Sequence, residues 1–303
     1  MMKKIIHRLK LSINRRPKIW SESYLRLRIM CPVIMPTNEK RTISVAIPFF
    51  NNAKMVHVAL FNALNDPRIA EIVILDDGSN RDAFEELKER VKPFSQKVKL
   101  FRRDINWGAF ANKIQVVELC SSDWIILLDY DNTLLPEYLN SIFNIGEWEE
   151  TTIYCPGYAW PNFDFREDLG GKTIDLSLAS SMAKSETFNG YFFNDGNYFL
   201  PREKFLGHIR PFWKYSVAAS DVIFANYLWL SSNNTLTVLR DSKYIHRVHD
   251  GSTWLNNSEK SLQIRKPIIK RIQDKISPYS SCIKDDLTQV SKEWIEPRSI
   301  NLH

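Results

Sequence analysis

The distribution of apolar residues divides the chain into a regular part and an irregular part. Residues 43–47 (closed by Pro48), 71–75, 98–101 and 124–128 are short, nearly unbroken apolar runs, which read as strands buried on both faces. Between them apolar residues recur at helical spacing: Val56, Leu60 and Leu64, then Phe84, Leu87 and Val91, then Ile114, Val117 and Leu119. Asn51 or Asn52 is placed to cap the first of these helices. Strands joined through helices, with links too short for hairpin partners, pair in parallel. The expectation is therefore an α/β fold with a mostly parallel, doubly wound central sheet flanked by helices.

Beyond Pro136 the alternation fades. Residues 151–200 hold Tyr154, Tyr158, Trp160, Phe163, Phe165, Tyr191, Phe192 and Phe193 without a clear period, which suits a loop-built binding surface. A helix is expected at 222–230, a strand at 236–239 and another leading into His246-Arg247-Val248-His249. A helical tail follows, with Ile268, Ile272 and Ile276 along one side and Lys266, Lys270, Arg271 and Lys275 beside them.

Composition narrows the class. A chain of 303 residues with 44% hydrophobic content can bury a sizeable core. Its four cysteines (Cys31, Cys120, Cys155, Cys282) lack pairing or zinc spacing, and the start lacks an apolar leader with a small-residue cleavage site, so a reducing, cytoplasmic setting is expected. No apolar run approaches the roughly 20 residues that cross a bilayer, so membrane contact is expected to be peripheral. The net charge of +6 is concentrated in residues 1–30, where nine Lys and Arg face the single acid Glu22. That asymmetry argues against a general nucleic-acid surface and for a basic arm. Ile5, Leu9 and Ile13 recur there at helical spacing, which fits either an interfacial segment on an anionic membrane or a solvated helix on its own domain.

Candidate chemistry clusters at strand ends. The fourth run stops on Asp129-Tyr130-Asp131, at the carboxyl end of a strand, where open α/β sheets bind ligands. Alternate residues of an extended chain point the same way, so both acids can converge on one hard cation. The second run stops on Asp76-Asp77-Gly78-Ser79, an acceptor-rich edge suited to a nucleobase N–H and ribose hydroxyls, with Gly for a tight turn and Ser for a helix start. Two acidic edges on one sheet describe a nucleotide-plus-metal site, because a divalent cation lets carboxylates approach a diphosphate. Neither a Walker lysine nor a GxGxxG is present, so ATPase and dinucleotide functions lose their main support. Asn106-Trp107-Gly108 can shape the pocket, and Lys113 on the next helix can face the diphosphate. Farther on, Arg247 and His249 share one strand face, so Arg247 can contact phosphate and His249 can complete the ligand set of a metal on Asp131. Asp221 reads either as an N-terminal acid complementing its helix dipole or as a general base.

In order, Ile47-Pro48-Phe49-Phe50-Asn51, Asp76-Asp77-Gly78-Ser79, Asn106-x-Gly108, Asp129-x-Asp131, Asp221 and His246-Arg247-x-His249-x-Gly251-Ser252 resemble the signature of family 2 glycosyltransferases with the GT-A fold, over residues 42–255. The resemblance implies that Pro48, Phe50, Asn51, Asp77, Asn106, Gly108, Lys113, Asp129 and Arg247 bind the nucleotide sugar, with Asp77 at the base. It implies Mn²⁺ or Mg²⁺ on Asp131 and His249, and Asp221 as the catalytic base of an inverting transfer. Relatives usually carry Glu before that acid, whereas this chain has Ser220. The implied division is a basic arm (1–41), a nucleotide-sugar-binding half (42–140), an acceptor-binding half (141–255) and a helical tail (256–303). The implied partners are a nucleotide-sugar donor, most readily UDP-linked, and a glycan or lipid-linked glycan acceptor in cell-surface polysaccharide synthesis, on the inner face of the cytoplasmic membrane if the arm binds lipid. The rivals are a glycan-binding scaffold on the same fold and a sugar nucleotidyltransferase. The latter needs a Gly-rich loop with a basic residue where this chain has Phe49-Phe50-Asn51.

Overall fold

The computed structural model describes residues 41–185, 196–215, 217, 220–247, 258–279 and 300–303. The basic arm and His249 lie outside them. The first half follows the expected alternation: β1 (Ile43–Phe49), α1 (Val56–Asn65), β2 (Ile69–Asp76), α2 (Arg81–Val91), β3 (Val98–Arg102), α3 (Ala109–Leu119) and β4 (Trp124–Leu127). A short β5 (Thr133–Leu134) and α4 (Pro136–Phe143) precede β6 (Thr152–Trp160), β7 (Phe163–Asp164), β8 (Thr173–Ile174) and α5 (Leu176–Lys184). The remaining elements are β9 (Phe199–Pro201), α6 (Arg202–Ile209), α7 (Asp221–Leu230), β10 (Thr235–Ile245), α8 (Ser258–Asp274) and β11 (Asn301–Leu302).

One sheet runs through all of this in the order β11-β3-β2-β1-β4-β9-β6-β10-β5, with β7 beside β6 and β8 beside β10. Pairing is parallel through β3-β2-β1-β4 and again between β6 and β10. β9 joins these two parallel blocks by running antiparallel to both β4 and β6. Successive residues of the central strands bury on opposite faces. Ala46, Val73, Leu75, Ile125 and Leu127 pack with α3, α5, α6, α7 and α8, whereas Val45, Ile47, Ile72, Ile74 and Ile126 pack with α1, α2 and α4.

Several local expectations change. Pro48 does not end β1, which continues to Phe49 with Pro48 paired to Leu75. Residues 44, 46 and 48 face β4, and the β4 ladder stops at the Ala46–Leu127 pair, so the N–H that proline lacks has no ladder partner to miss. Neither Asn51 nor Asn52 caps a helix; α1 begins after a 3₁₀ turn at Ala53–Met55, and no side chain caps either start. The aromatic stretch contains a nine-residue, mostly buried strand, β6, where loops were expected. Pro156-Gly157 in its middle reads as a break, but here it accommodates a bulge in β10: a Cβ on Gly157 would lie 2.7 Å from the Leu239 carbonyl oxygen and 2.8 Å from that of Arg240. The same bulge makes one strand, β10, of the two expected after residue 235. In the tail α8 buries Ile268 and Ile272 as expected, and residues 301–302 add a strand beside β3.

Since both atoms facing that Cβ belong to the backbone, Gly157→Ala is expected to destabilise the fold by about 1–3 kcal/mol in urea unfolding.

Candidate active site

The carboxyl ends of β1, β2, β3 and β4 bring four loops to one edge of the sheet. The turn after β2 is welded to the loop after β3. Gly78 has φ +69°, and a Cβ there would lie 2.6 Å from the Ile105 carbonyl carbon and 2.8 Å from the Asn106 nitrogen. Asp77 Oδ1 accepts from the Trp107 N–H at 2.9 Å and its Oδ2 from the Gly108 N–H at 2.8 Å. Gly108 is the residue at which α3 starts, and it has no side chain to cap with; a carboxylate from the neighbouring strand binds its amide instead.

Arg103, fully buried, completes this knot. Its Nη2 lies 2.8 Å from Asp77 Oδ1 and donates to Asn112 Oδ1 at 2.6 Å, and its guanidinium covers Trp107, which stacks on Trp213. Burial pushes the Asp77 carboxyl up to about 6 against the pull of Arg103 and the two amides, and draws Arg103 down to about 10. Asp77 is only 2% exposed, so the acid expected at the nucleobase has both oxygens engaged by protein donors. Its neighbour Asp76 accepts from the Ser79 amide and hydroxyl. Ser79 also accepts from the Asn51 N–H at 2.7 Å, and Asn51 Oδ1 accepts from the Asn80 N–H at 2.9 Å, so Asn80, not Ser79, caps α2.

α3 carries Lys113 into the centre of the edge. Its ammonium is 2.7 Å from Asp221 Oδ2 and 3.2 Å from Asp129 Oδ1. Burial alone would lower its pKa, but the two acids outweigh it and hold the group above the ordinary lysine value. Asp221 is the first residue of α7 and is 7% exposed. At the departure from the family pattern, Ser220 is fully buried and donates to the Ser261 carbonyl of α8 at 2.9 Å.

Asp129 and Asp131 do not sit on an extended strand. β4 ends at Leu127, and the Asn132 N–H bonds back to the Asp129 carbonyl at 3.0 Å, so the two acids lie at a turn. Asn197, at φ +64°, holds this turn: its Oδ1 accepts from the Asp129 N–H at 2.8 Å and from the Asn132 amide at 3.3 Å. From the far side the Arg247 N–H donates to Asn132 Oδ1 at 3.0 Å, and its Nη1 donates to Thr133 Oγ1 at 2.6 Å and to the Asp131 carbonyl at 3.3 Å. Arg247 thus grips the turn's backbone.

The preceding residue, His246, has its Nδ1 buried without a partner among the described residues, and its ring feels the charges of Asp131 and Asp129 while burial lowers its pKa. Among the described residues no three His, Cys, Asp or Glu side chains form a metal-binding group. An Asp131 carboxylate with an orphaned imidazole nitrogen nearby nevertheless suits part of a divalent-cation shell.

The edge therefore brings Lys113, Asp129 and Asp221 into contact and sets Asp131, His246 and Arg247 beside them. Asn51, Phe50 and Asn106 stay exposed on its rim, and Pro48 is buried within β1. Arg103, Asn132 and Asn197 were not anticipated. Arg103 and Asn197 act through long-range contacts that leave no local pattern; Asn132, directly after the two acids, was within reach of a turn argument.

An ordered 3-2-1-4 sheet with acids at two strand ends defines an α/β protein of the GT-A type, and solved structures share its fold. S. aureus TarS 1–349 in complex with UDP-GlcNAc matches with TM-score 0.56 at 14% identity, over 80% of this chain and 69% of that one. The mannosyltransferase PcManGT from Pyrobaculum calidifontis, in complex with GDP-Man and Mn²⁺, matches with TM-score 0.56 at 14% identity, over 84% and 74%. The sequence model for glycosyl transferase family 2 matches residues 44–219, more than half of the chain, and the chain belongs to that family. It is 31% identical over 113 residues to an uncharacterized glycosyltransferase of Mycoplasma pneumoniae, covering 35% of this chain and 36% of that protein. It is 26% identical over 117 residues to a cholesterol galactosyltransferase of Borreliella burgdorferi, covering 38% and 32%. These matches span about a third of the length of either relative.

Asp77→Asn would remove the carboxylate paired with the buried Arg103, leaving Asp76 as its remaining counter-charge. The expected loss is about 3–5 kcal/mol of unfolding free energy, measured by denaturant titration without any nucleotide present.

Proposed function

We propose that this protein transfers a sugar from a nucleoside-diphosphate donor to a hydroxyl of a glycan or lipid-linked glycan acceptor, with inversion at the anomeric carbon. The observation that carries the proposal is the meeting of Asp129 and Asp221 on Lys113 at the carboxyl edge of the sheet. A donor-side acid from the turn after β4 and a candidate base from the start of α7 share one small site. The structural neighbours crystallised with UDP-GlcNAc or with GDP-Man and Mn²⁺ support a nucleotide-sugar donor, and UDP is the nucleotide proposed.

In this mechanism Asp221 takes the proton of the acceptor hydroxyl as its oxygen bonds to the anomeric carbon, while the bond from that carbon to the diphosphate oxygen breaks. One displacement inverts the centre. Asp129 contacts the sugar nucleotide, and Arg247 keeps the Asp131 turn in place at the diphosphate end. Asp131, with His246 or His249, would hold a divalent cation, Mn²⁺ or Mg²⁺, which would supply positive charge against the negative charge developing on the leaving diphosphate. Among the described residues no helix is long and apolar enough to cross a membrane. A lipid-linked acceptor on the cytoplasmic face, approached through the basic residues 1–30, is part of the proposal and rests on their charge alone.

UDP-GlcNAc, UDP-galactose, UDP-glucose and GDP-mannose, each with Mn²⁺, form the test panel. At least one is expected to raise the melting temperature and to release its nucleoside diphosphate in a protein-dependent reaction; no release from any of them at any metal concentration would overturn the proposal in favour of a scaffold. Asp221→Asn is expected to bind UDP like the parent and to lose about 10²–10⁴ in turnover, the usual worth of a general base. For Asp131→Ala, Mn²⁺-dependent UDP binding read by calorimetry should weaken by about tenfold or more, because changes behind a ligand already cost about 10–100-fold in metal affinity.

A further inference from the structure

We infer that Lys113 is a positioning residue for Asp221, locking the base against the donor-side acid Asp129, and is not a contact to the donor's diphosphate. This rests on the assignment of Asp221 as the base. Three elements that share no local sequence meet at this ammonium: α3 supplies Lys113, the turn after β4 supplies Asp129, and the start of α7 supplies Asp221. The two carboxylate oxygens it touches lie no more than about 6 Å apart, and at that range like charges without a cation between them repel strongly.

The ammonium has little freedom to leave. The Lys113 side chain is 14% exposed, and the chain passes over it at Gly196, where a Cβ would come within 4.0 Å of Nζ and 3.2 Å of a Val222 methyl. Behind it is a cavity of about 30 Å³ lined chiefly by Phe110, Ile114, Leu127, Val222 and Ala225, an apolar wall that draws no charge away from the acids. The stem is fixed as well, because α3 is anchored at its start through Asp77 and at the preceding residue, Asn112, through Arg103. An ammonium that moved to a phosphate would leave the buried Asp221 carboxylate facing the partly exposed Asp129 carboxylate with no cation between them. One that stays keeps the Asp221 carboxylate in a single orientation as the acceptor arrives.

The test uses the full chain and whichever sugar nucleotide of the panel supports turnover. Rates are taken per UDP-binding site, so protein that does not fold drops out. Lys113→Met is expected to lower kcat about tenfold or more while the Kd for UDP with Mn²⁺ stays within about threefold. The double variant with Asp221→Asn is expected to be no slower than Asp221→Asn alone, within about threefold, because Lys113 acts through that carboxylate. Two results would overturn the inference while leaving the base assignment intact: Lys113→Met with unchanged kcat and UDP binding weakened more than tenfold, which marks a diphosphate contact, or a double variant slowed by the full Lys113→Met factor. Normal turnover by Asp221→Asn would instead overturn the assignment on which the inference rests.

Discussion

The geometry of the site depends on one buried carboxylate. Asp77 closes β2, binds the two amides at which α3 begins and pairs with Arg103, whose guanidinium reaches Asn112 one turn into the same helix. Burying such a pair is costly, and burial moves both pKa values towards neutrality. What offsets the cost is complete use of the acid: each oxygen receives an amide, and the charge has a counter-charge. The start and rotation of α3 are thereby fixed relative to β2, and with them the reach of Lys113. The Asp76-Asp77 turn thus forms, in this structure, a frame for the start of α3 and for Lys113 on it.

A second constraint comes from β9. Because it runs antiparallel to β4, its entry strand crosses the carboxyl edge and delivers Asn197 to the Asp129 amide, just where the β4 ladder has run out. The Asn197 side chain substitutes for the missing strand partner, and its positive φ turns the chain so that Gly196 can pass over Lys113. α7 then starts against the same lysine. Its first residue faces the site, and the residue before it is pinned to α8 by the Ser220–Ser261 bond. A serine at this position anchors the start of α7, and with it Asp221, from behind.

Much of this fold was legible because the strands between β1 and β4 are buried on both faces and so appear as unbroken apolar runs. The second half was harder for the converse reason. β6 contains Pro156-Gly157, and β10 contains Arg240-Asp241-Ser242, pairs and triplets that mean loop in isolation and here meet at one bulge. In the site, residue types and strand ends located the acids and the base candidate. Spacing did not reveal which partner each would have. The period-two argument for Asp129 and Asp131 assumed an extended chain, whereas the Asn132-to-Asp129 hydrogen bond shows that the chain turns there. Arg103 and Asn197 gave no signal, since a buried cation or a positive-φ asparagine is defined by contacts distant in sequence.

The distribution of charge at the edge leads to a last step. Lys113 is engaged by Asp129 and Asp221, and Arg247 by the backbone and hydroxyl of the Asp131–Thr133 turn. Neither side chain is poised, as it stands, to neutralise a diphosphate, and Asp129 and Asp131 would repel one. Electrostatics at a partly buried edge makes that repulsion expensive, because water screens it poorly. A donor entering here therefore needs a positive charge that comes with it. The Asp131 carboxylate, with the buried Nδ1 of His246 close by and without a partner among the described residues, would suit such a charge. Under the proposed function, a metal–nucleotide complex is therefore the species that suits this edge, where Lys113 and Arg247 are already engaged by the protein.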